Sequence, residues 1–174
     1  MHPHIKVTDV KNIVLIGMPG AGKSTVGVLL AKSMLMSFCD TDLLIQNETG
    51  ESLSDTIKKQ GIDAFIRLED EIIFKNDFKN SVIATGGSAV YGERAMNKLK
   101  ENGKIVYLHV DFNEIEKRVT NITTRGIVLK NGKSLADAFD ERKPLYDKYA
   151  DVVIDCTGST IENSVKMLAE KLSK

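Results

Sequence analysis

Apolar positions along this chain follow two alternating rhythms. Short apolar runs, such as Asn12–Ile16, Ser81–Ala84 and Val152–Asp155, read as buried strands. Between them lie longer stretches in which apolar residues return every three or four positions, the spacing of a helix with one buried face. The run 37–39 predicts a short second strand, and 104–110 predicts a fourth. Helices are predicted over Leu53–Gln60, opened by Ser52-x-x-Asp55 and stopped at Gly61, and over 63–78, with Phe65, Leu68 and Ile72 on one face. Further helices are expected over 93–101, after an Asp111-x-x-Glu114 cap, from Ser134 onward with Pro144 disturbing or restarting it, and over Ile161–Leu172. Residues 120–133 have no periodicity, hold an Asn-Gly pair, and predict a mobile loop. Strands alternating with helices over the full length predict one α/β domain with a parallel sheet. Right-handed crossovers then bring the C-terminal ends of the strands to a single edge, where such sheets form their ligand crevice.

The segment after the first strand changes this from an architecture to a chemistry. It reads Gly17-Met18-Pro19-Gly20-Ala21-Gly22-Lys23-Ser24-Thr25, a G-x-x-x-x-G-K-S loop between a buried strand and a helix N-terminus. Gly17, Gly20, Ala21 and Gly22 let backbone N–H groups converge on a phosphate, and the helix start adds free donors and a positive dipole end. Lys23 reaches the outer phosphates and the Ser24 hydroxyl can ligate magnesium. A chance glycine-rich turn would not have strand, Lys-Ser and helix in register, so the chain is expected to bind ATP with Mg2+.

Three other clusters fall on the same predicted edge. Asp40 and Asp42 follow the second strand; alone they would read as a helix cap or turn. Beside the phosphate loop, one carboxylate can help hold magnesium and the other can accept a proton from an attacking hydroxyl. Gly86-Gly87, followed by Ser88, is either a tight turn or a place where a small substrate approaches the backbone. Arg118 and Arg125 flank the entry to the mobile loop, and Arg142 follows it. Any one of these would be an ordinary surface charge. Phosphoryl transfer needs delocalised positive charge and exclusion of water, which a closing loop with an arginine supplies, and Arg125 is the candidate.

Composition removes whole classes of function. Lys plus Arg and Asp plus Glu number 24 each, and the basic residues are scattered, so nucleic acid and membrane surfaces are not expected partners. No apolar run approaches a membrane span and no signal-peptide core is present, so a cytoplasmic protein is expected. Cys39 and Cys156 read as small buried hydrophobes, and His2, His4 and His109 are too dispersed for a metal site.

Taken together, the phosphate loop, Asp40-Thr41-Asp42, Phe65 with Glu69, Gly86-Gly87, Arg118, Arg125, Arg142 and Pro144-Leu145-Tyr146 make the chain resemble the shikimate kinase family over nearly its full length. The resemblance implies a three-layer α/β/α P-loop kinase fold with a five-stranded parallel sheet of order 2-3-1-4-5. It also implies a lid near 119–133 and a substrate-binding helical segment near 43–79. It implies catalysis by Lys23, Asp42 and Arg125, adenine packing by Arg118, magnesium held by Ser24 and Asp40, and a carboxylate bound by Arg142. The activity would be ATP-dependent transfer to a hydroxyl of a small polar metabolite, shikimate by default, in aromatic amino acid biosynthesis, by a monomer.

The departures are local. The family's Phe-Arg-x-x-Glu reads Phe65-Ile66-Arg67-Leu68-Glu69, with Ile66 in place of the carboxylate-clamping arginine. Arg67 is a candidate substitute, although one step along a helix turns a side chain by about 100°. Ser88 replaces a third glycine, and Gly126 replaces the proline after the lid arginine. Two alternatives stay open here: another small hydroxy compound as acceptor, and an ATP-sensing module without phosphotransfer.

Overall fold

The computed structural model describes residues 12–119 and 126–173. Five strands form one parallel sheet: β1 (Asn12–Ile16), β2 (Ser37–Asp40), β3 (Ser81–Ala84), β4 (Lys104–His109) and β5 (Val152–Asp155). Their order is β2-β3-β1-β4-β5, with every neighbouring pair parallel, as the resemblance implied. Central β1 is buried along its whole length, which is why its residues form a continuous apolar run rather than an alternating one. The edge strands β2 and β5 are more exposed and more polar.

Eight α-helices are present among the described residues: α1 (Lys23–Met34), α2 (Thr41–Thr49), α3 (Leu53–Gln60), α4 (Ile62–Lys75), α5 (Glu93–Asn102), α6 (Phe112–Arg118), α7 (Leu135–Tyr149) and α8 (Ile161–Leu172). The chain steps outward from β1 to β2 and then back through β3, β1 and β4 to β5. Right-handed crossovers therefore place α1 on the opposite face of the sheet from α2, α3 and α4, which join β2 to β3. The packing agrees, with α1 against α8 and α4 against α5. Val26, Leu30, Leu168 and Leu172 cover one side of the main core, and Ala95, Met96, Leu99 and Tyr146 also bury into it. Truncating a fully buried core side chain such as Leu30 to Ala would cost about 2–5 kcal/mol. A smaller cluster of Ile45, Leu53, Phe65, Ile72 and Val128 ties the segment between β2 and β3 to the chain leaving residues 120–125.

The structure corrects several sequence-based boundaries. Helix α2 falls in the helical segment expected near 43–79 but had no bounds of its own; it begins directly after β2 because Asp40 caps it, its carboxylate accepting from the Asp42 N–H at 2.9 Å. Helix α4 stops at Lys75 rather than 78, and β4 stops at His109 rather than 110. The expected Asp111 cap is absent: its side chain makes no capping hydrogen bond. Glu114 instead accepts from the Gly158 N–H at 2.7 Å and pairs with Arg118. Pro144 neither breaks nor restarts α7. It sits on the exposed face, as does Asp140 one turn earlier, so the carbonyl that loses its partner is left to water. A 3-10 turn, Ala89–Tyr91, follows β3 and was also unforeseen.

Candidate active site

The phosphate loop leaves β1 at Gly17, whose φ is +145°. A Cβ there would lie 2.6 Å from the Leu108 carbonyl oxygen, so only glycine lets the loop turn this close to β4. Gly20 and Gly22 also have positive φ, and the Ala21 N–H donates to Met18 O at 3.1 Å. Lys23 opens α1 and folds back over the loop, donating from Nζ to Gly17 O at 2.7 Å and Met18 O at 2.8 Å. It is nearly enclosed, and burial lowers its ammonium to about 8, with Asp42 pulling the other way. A compact, partly desolvated cation is thus held above the amides that face the phosphate position.

Ser24 Oγ donates to Asp40 Oδ2 at 2.6 Å. The other Asp40 oxygen caps α2, so this carboxylate is both a structural cap and the partner of the loop serine. A hydroxyl and a carboxylate side by side are hard oxygen donors, a set that suits magnesium, which takes its remaining ligands from phosphates and water. Among the described residues no cluster of three His, Cys, Asp or Glu forms a self-sufficient metal cage. Asp42, two residues on, points into the same space. Burial raises its carboxyl to about 6, the Asp40 charge adds to that, and Lys23 opposes it. It is therefore mostly ionised at neutral pH and can take a proton.

Across from the loop lies the segment after β3. Gly86 donates its N–H to Thr41 Oγ1 at 3.2 Å. A Cβ at Gly86 would lie 2.6 Å from Glu69 Oε1 and 2.9 Å from Asp42 Oδ1, and one at Gly87 would lie 2.6 Å from Pro19 Cδ. The glycine pair is thus required by close packing of two carboxylates and the phosphate loop. Ser88 Oγ donates to Glu69 Oε2 at 2.5 Å, while Glu69 Oε1 has no hydrogen-bond partner among the described residues. Glu69 is 1% exposed, and burial pushes its carboxyl up to about 7 despite the Ser88 bond. Arg142, also 1% exposed, comes in from α7 beside Gly87. Tyr146, one turn further along α7, donates to Gly87 O at 2.7 Å.

These groups enclose one cavity of about 480 Å³, on whose wall lie Lys23, Ser24, Asp42, Gly87, Arg118 and Arg142. Gly20, Gly22, Thr25, Gly86 and Ser88 line it too. Arg118 reaches back to the loop, donating from Nη1 to Gly20 O at 3.1 Å. A glycine loop with its lysine, a proton-accepting carboxylate and a buried guanidinium share one chamber, which is the equipment of a phosphoryl transfer between two small molecules.

The shikimate kinase family model matches residues 19–173. The chain belongs to the shikimate kinase family. A shikimate kinase from Francisella tularensis subsp. novicida is 35% identical over 163 residues, which is 91% of this chain and 93% of that one. Among solved structures, the shikimate kinase from Acinetobacter baumannii in complex with shikimate aligns with a TM-score of 0.80 at 29% identity, covering 98% of this chain and 94% of that one. The Aquifex aeolicus shikimate kinase gives 0.76 at 31% identity, with 92% and 96% coverage. This family consists of small-molecule kinases that use ATP as phosphoryl donor, and the present chain is one of them.

Against the family pattern, the structure sorts the expected residues. Lys23, Ser24, Asp42, Gly86, Gly87, Ser88, Arg118 and Arg142 share the cavity, with Asp40 bonded to Ser24 at its margin. Gly17 and Ala21 shape the loop from behind. Arg67 is not brought in: it is exposed, on a separate shallow depression with Ile66, Asp70 and Phe74. The rotation of one helical step carries it off the face that presents Phe65 and Glu69. Arg125 lies outside the described residues. Gly126 has a local reason to replace proline: its φ is +64°, and a Cβ there would lie 2.6 Å from Leu53 Cβ. Sequence reasoning gave no role to Glu69, Thr41 or Tyr146. Glu69 had a visible signal, since it follows Phe65 by four and precedes Ile72 by three, a carboxylate in the middle of an apolar helix face.

Proposed function

We propose that this chain transfers the γ-phosphoryl group of ATP to a hydroxyl of shikimate, giving shikimate 3-phosphate, and so serves aromatic amino acid biosynthesis. The observation that carries this reading is the convergence of Lys23, Asp42, Gly87 and Arg142 on one cavity, in a chain whose family includes a member solved with shikimate bound. The loop amides and Lys23 hold the β- and γ-phosphates, and Arg118 packs on the adenine. Ser24 and Asp40 are the residues that would hold Mg2+, which would supply charge neutralisation on the phosphates. Asp42 accepts the proton of the attacking hydroxyl. The new bond joins that oxygen to the γ-phosphorus, the bond to the β–γ bridging oxygen breaks, and ADP leaves with the electron pair.

Arg142 binds the acceptor's carboxylate, and Gly86, Gly87 and Ser88 form the wall against which the ring lies. Arg67 is left out of this assignment because it faces away. Residues 43–79 act as the acceptor-binding segment of a single domain and 119–133 as its lid, with Arg125 meeting the phosphates. The chain works as a monomer in the cytoplasm; no helix among the described residues is long and apolar enough to cross a membrane.

The direct test is to incubate the protein with ATP, Mg2+ and shikimate and look for a phosphomonoester of shikimate by mass and 31P NMR. ATP binding with no such product would overturn the assignment. A second reading, a different small hydroxy compound as acceptor, is favoured by one observation: Ile66 packs against the small core cluster and brings no cation to the cavity. The same incubation with quinate, gluconate and homoserine separates the two.

A further inference from the structure

Arg142 directs its three nitrogens in three directions. Nη2 donates to Val128 O, and Nε donates to Tyr91 Oη at 3.3 Å. Nη1 has no hydrogen-bond partner among the described residues, and lies 3.1 Å from where a Cβ on Gly87 would sit, beside the cavity. Tyr91 is itself held in place. Lys130 Nζ lies 4.5 Å from its ring centroid and pairs with Glu141 at 2.9 Å. Glu141, which immediately precedes Arg142, also pairs with Lys133. The ammonium groups of Lys133 and then Lys130 hold the Glu141 carboxyl down at about 2. The tyrosine hydroxyl accepts from Arg142, and Lys130 links the tyrosine ring to Glu141.

We propose that Tyr91 and Glu141 are positioning residues for Arg142: they lock its guanidinium so that Nη1, enclosed and unpartnered among the described residues beside the cavity, is the nitrogen left for an anionic group of the acceptor. They also join that orientation to the chain at 128–133. A free arginine would lose rotamer freedom on binding a carboxylate. One with two of its nitrogens already engaged has lost it on folding, so the anion is bound with less ordering cost. The effect belongs to acceptor recognition and does not touch the ATP half of the site. It rests on the reading of Arg142 as the acceptor's anion site.

Tyr91→Phe keeps the ring under Lys130 and removes only the hydroxyl. The expected result is a rise of about tenfold in KM for shikimate, the size of one lost hydrogen bond around a charged group, with kcat and KM for ATP within about twofold of wild type. Glu141→Gln should raise the same KM by less, and the double variant should be no worse than Tyr91→Phe, because both residues act through one guanidinium. An unchanged shikimate KM, or equal rises in both KM values, would overturn the proposal. A second measurement needs no acceptor. The side-chain NMR signals of Arg142, assigned by their loss in Arg142→Lys, should show restricted guanidinium rotation in the wild type and averaging in Tyr91→Phe. Equal restriction in both would overturn it. Absence of shikimate turnover by the wild type would count against the proposed activity, and the NMR comparison would still decide the role of Tyr91.

Discussion

Ser88 Oγ donates to Glu69 Oε2 at 2.5 Å, with both side chains buried, so the residue after the glycine pair and the carboxylate of α4 form one unit. The serine hydroxyl that departs from the family's glycine is spent on Glu69. Ser88→Ala would strip a buried oxygen of its donor. The expected cost is about 1–3 kcal/mol, read by calorimetry as a fall in Tm of roughly 2–12 °C. An unchanged Tm would show that the bond contributes nothing net.

Glu69 also gives the fold a pH dependence of definite sign. Its carboxyl is raised from 4.5 to about 7, so the folded chain holds the proton more tightly than the unfolded chain does. That contribution to stability is fully present below 4.5 and is lost as pH rises towards 7. Glu69→Gln, neutral at every pH, should gain on the wild type by on the order of 1–3 kcal/mol across that window. Asp42, raised to about 6, acts in the same direction and remains in both proteins. Parallel urea midpoints at pH 4.5 and 7.5 measure the difference; parallel behaviour of the two proteins would rule the linkage out.

Asp42→Asn should lower kcat by roughly 10²–10⁴-fold, the usual contribution of a positioned proton acceptor, with little change in KM for ATP. Steady-state kinetics at neutral pH check it. Near-normal turnover would leave the hydroxyl proton to another group.

Asp40→Asn preserves a good helix cap on α2 but removes the charge that Ser24 meets. The Mg2+ concentration needed for half-maximal activity should rise roughly 10–100-fold, while Tm stays near the wild-type value. A titration of activity against Mg2+ that superimposes on the wild type would take Asp40 out of the metal's surroundings.

Ile66 precedes Glu69 by three residues on α4, so side chains at the two positions are neighbours on the helix surface. In Ile66→Arg, a guanidinium could meet the unpartnered Glu69 oxygen and bring a second cation towards the acceptor. KM for shikimate should fall about tenfold. No fall would mean that Arg142 alone is the carboxylate site and that the wall near Ile66 serves another purpose.

How far these features were legible depended on how local their causes are. The strands were readable because a parallel sheet with helices on both faces buries whole runs, and the phosphate loop because its glycines, lysine and serine lie contiguous in sequence. Helix α2 has no clear apolar spacing to bound it, and Asp40, which alone reads as a helix cap or turn, is a cap and a partner of Ser24 at once. Pro144 misled because the face of α7 on which it falls is set by the tertiary positions of Arg142 and Tyr146. Arg67 could be placed only by knowing which side of α4 faces the cavity. The role of Glu69 required seeing Ser88 and Gly86 beside it, from an element separated by nearly twenty residues. Arg125 remains a reading from sequence alone.

The most direct test is acceptor-dependent ADP release in a coupled assay with ATP and Mg2+, run with and without shikimate and with Lys23→Ala alongside. Release should depend saturably on shikimate and fall by at least 10²–10³-fold in the variant. ADP release that is indifferent to shikimate, or undiminished in Lys23→Ala, would contradict the assignment of this cavity as a shikimate-phosphorylating site.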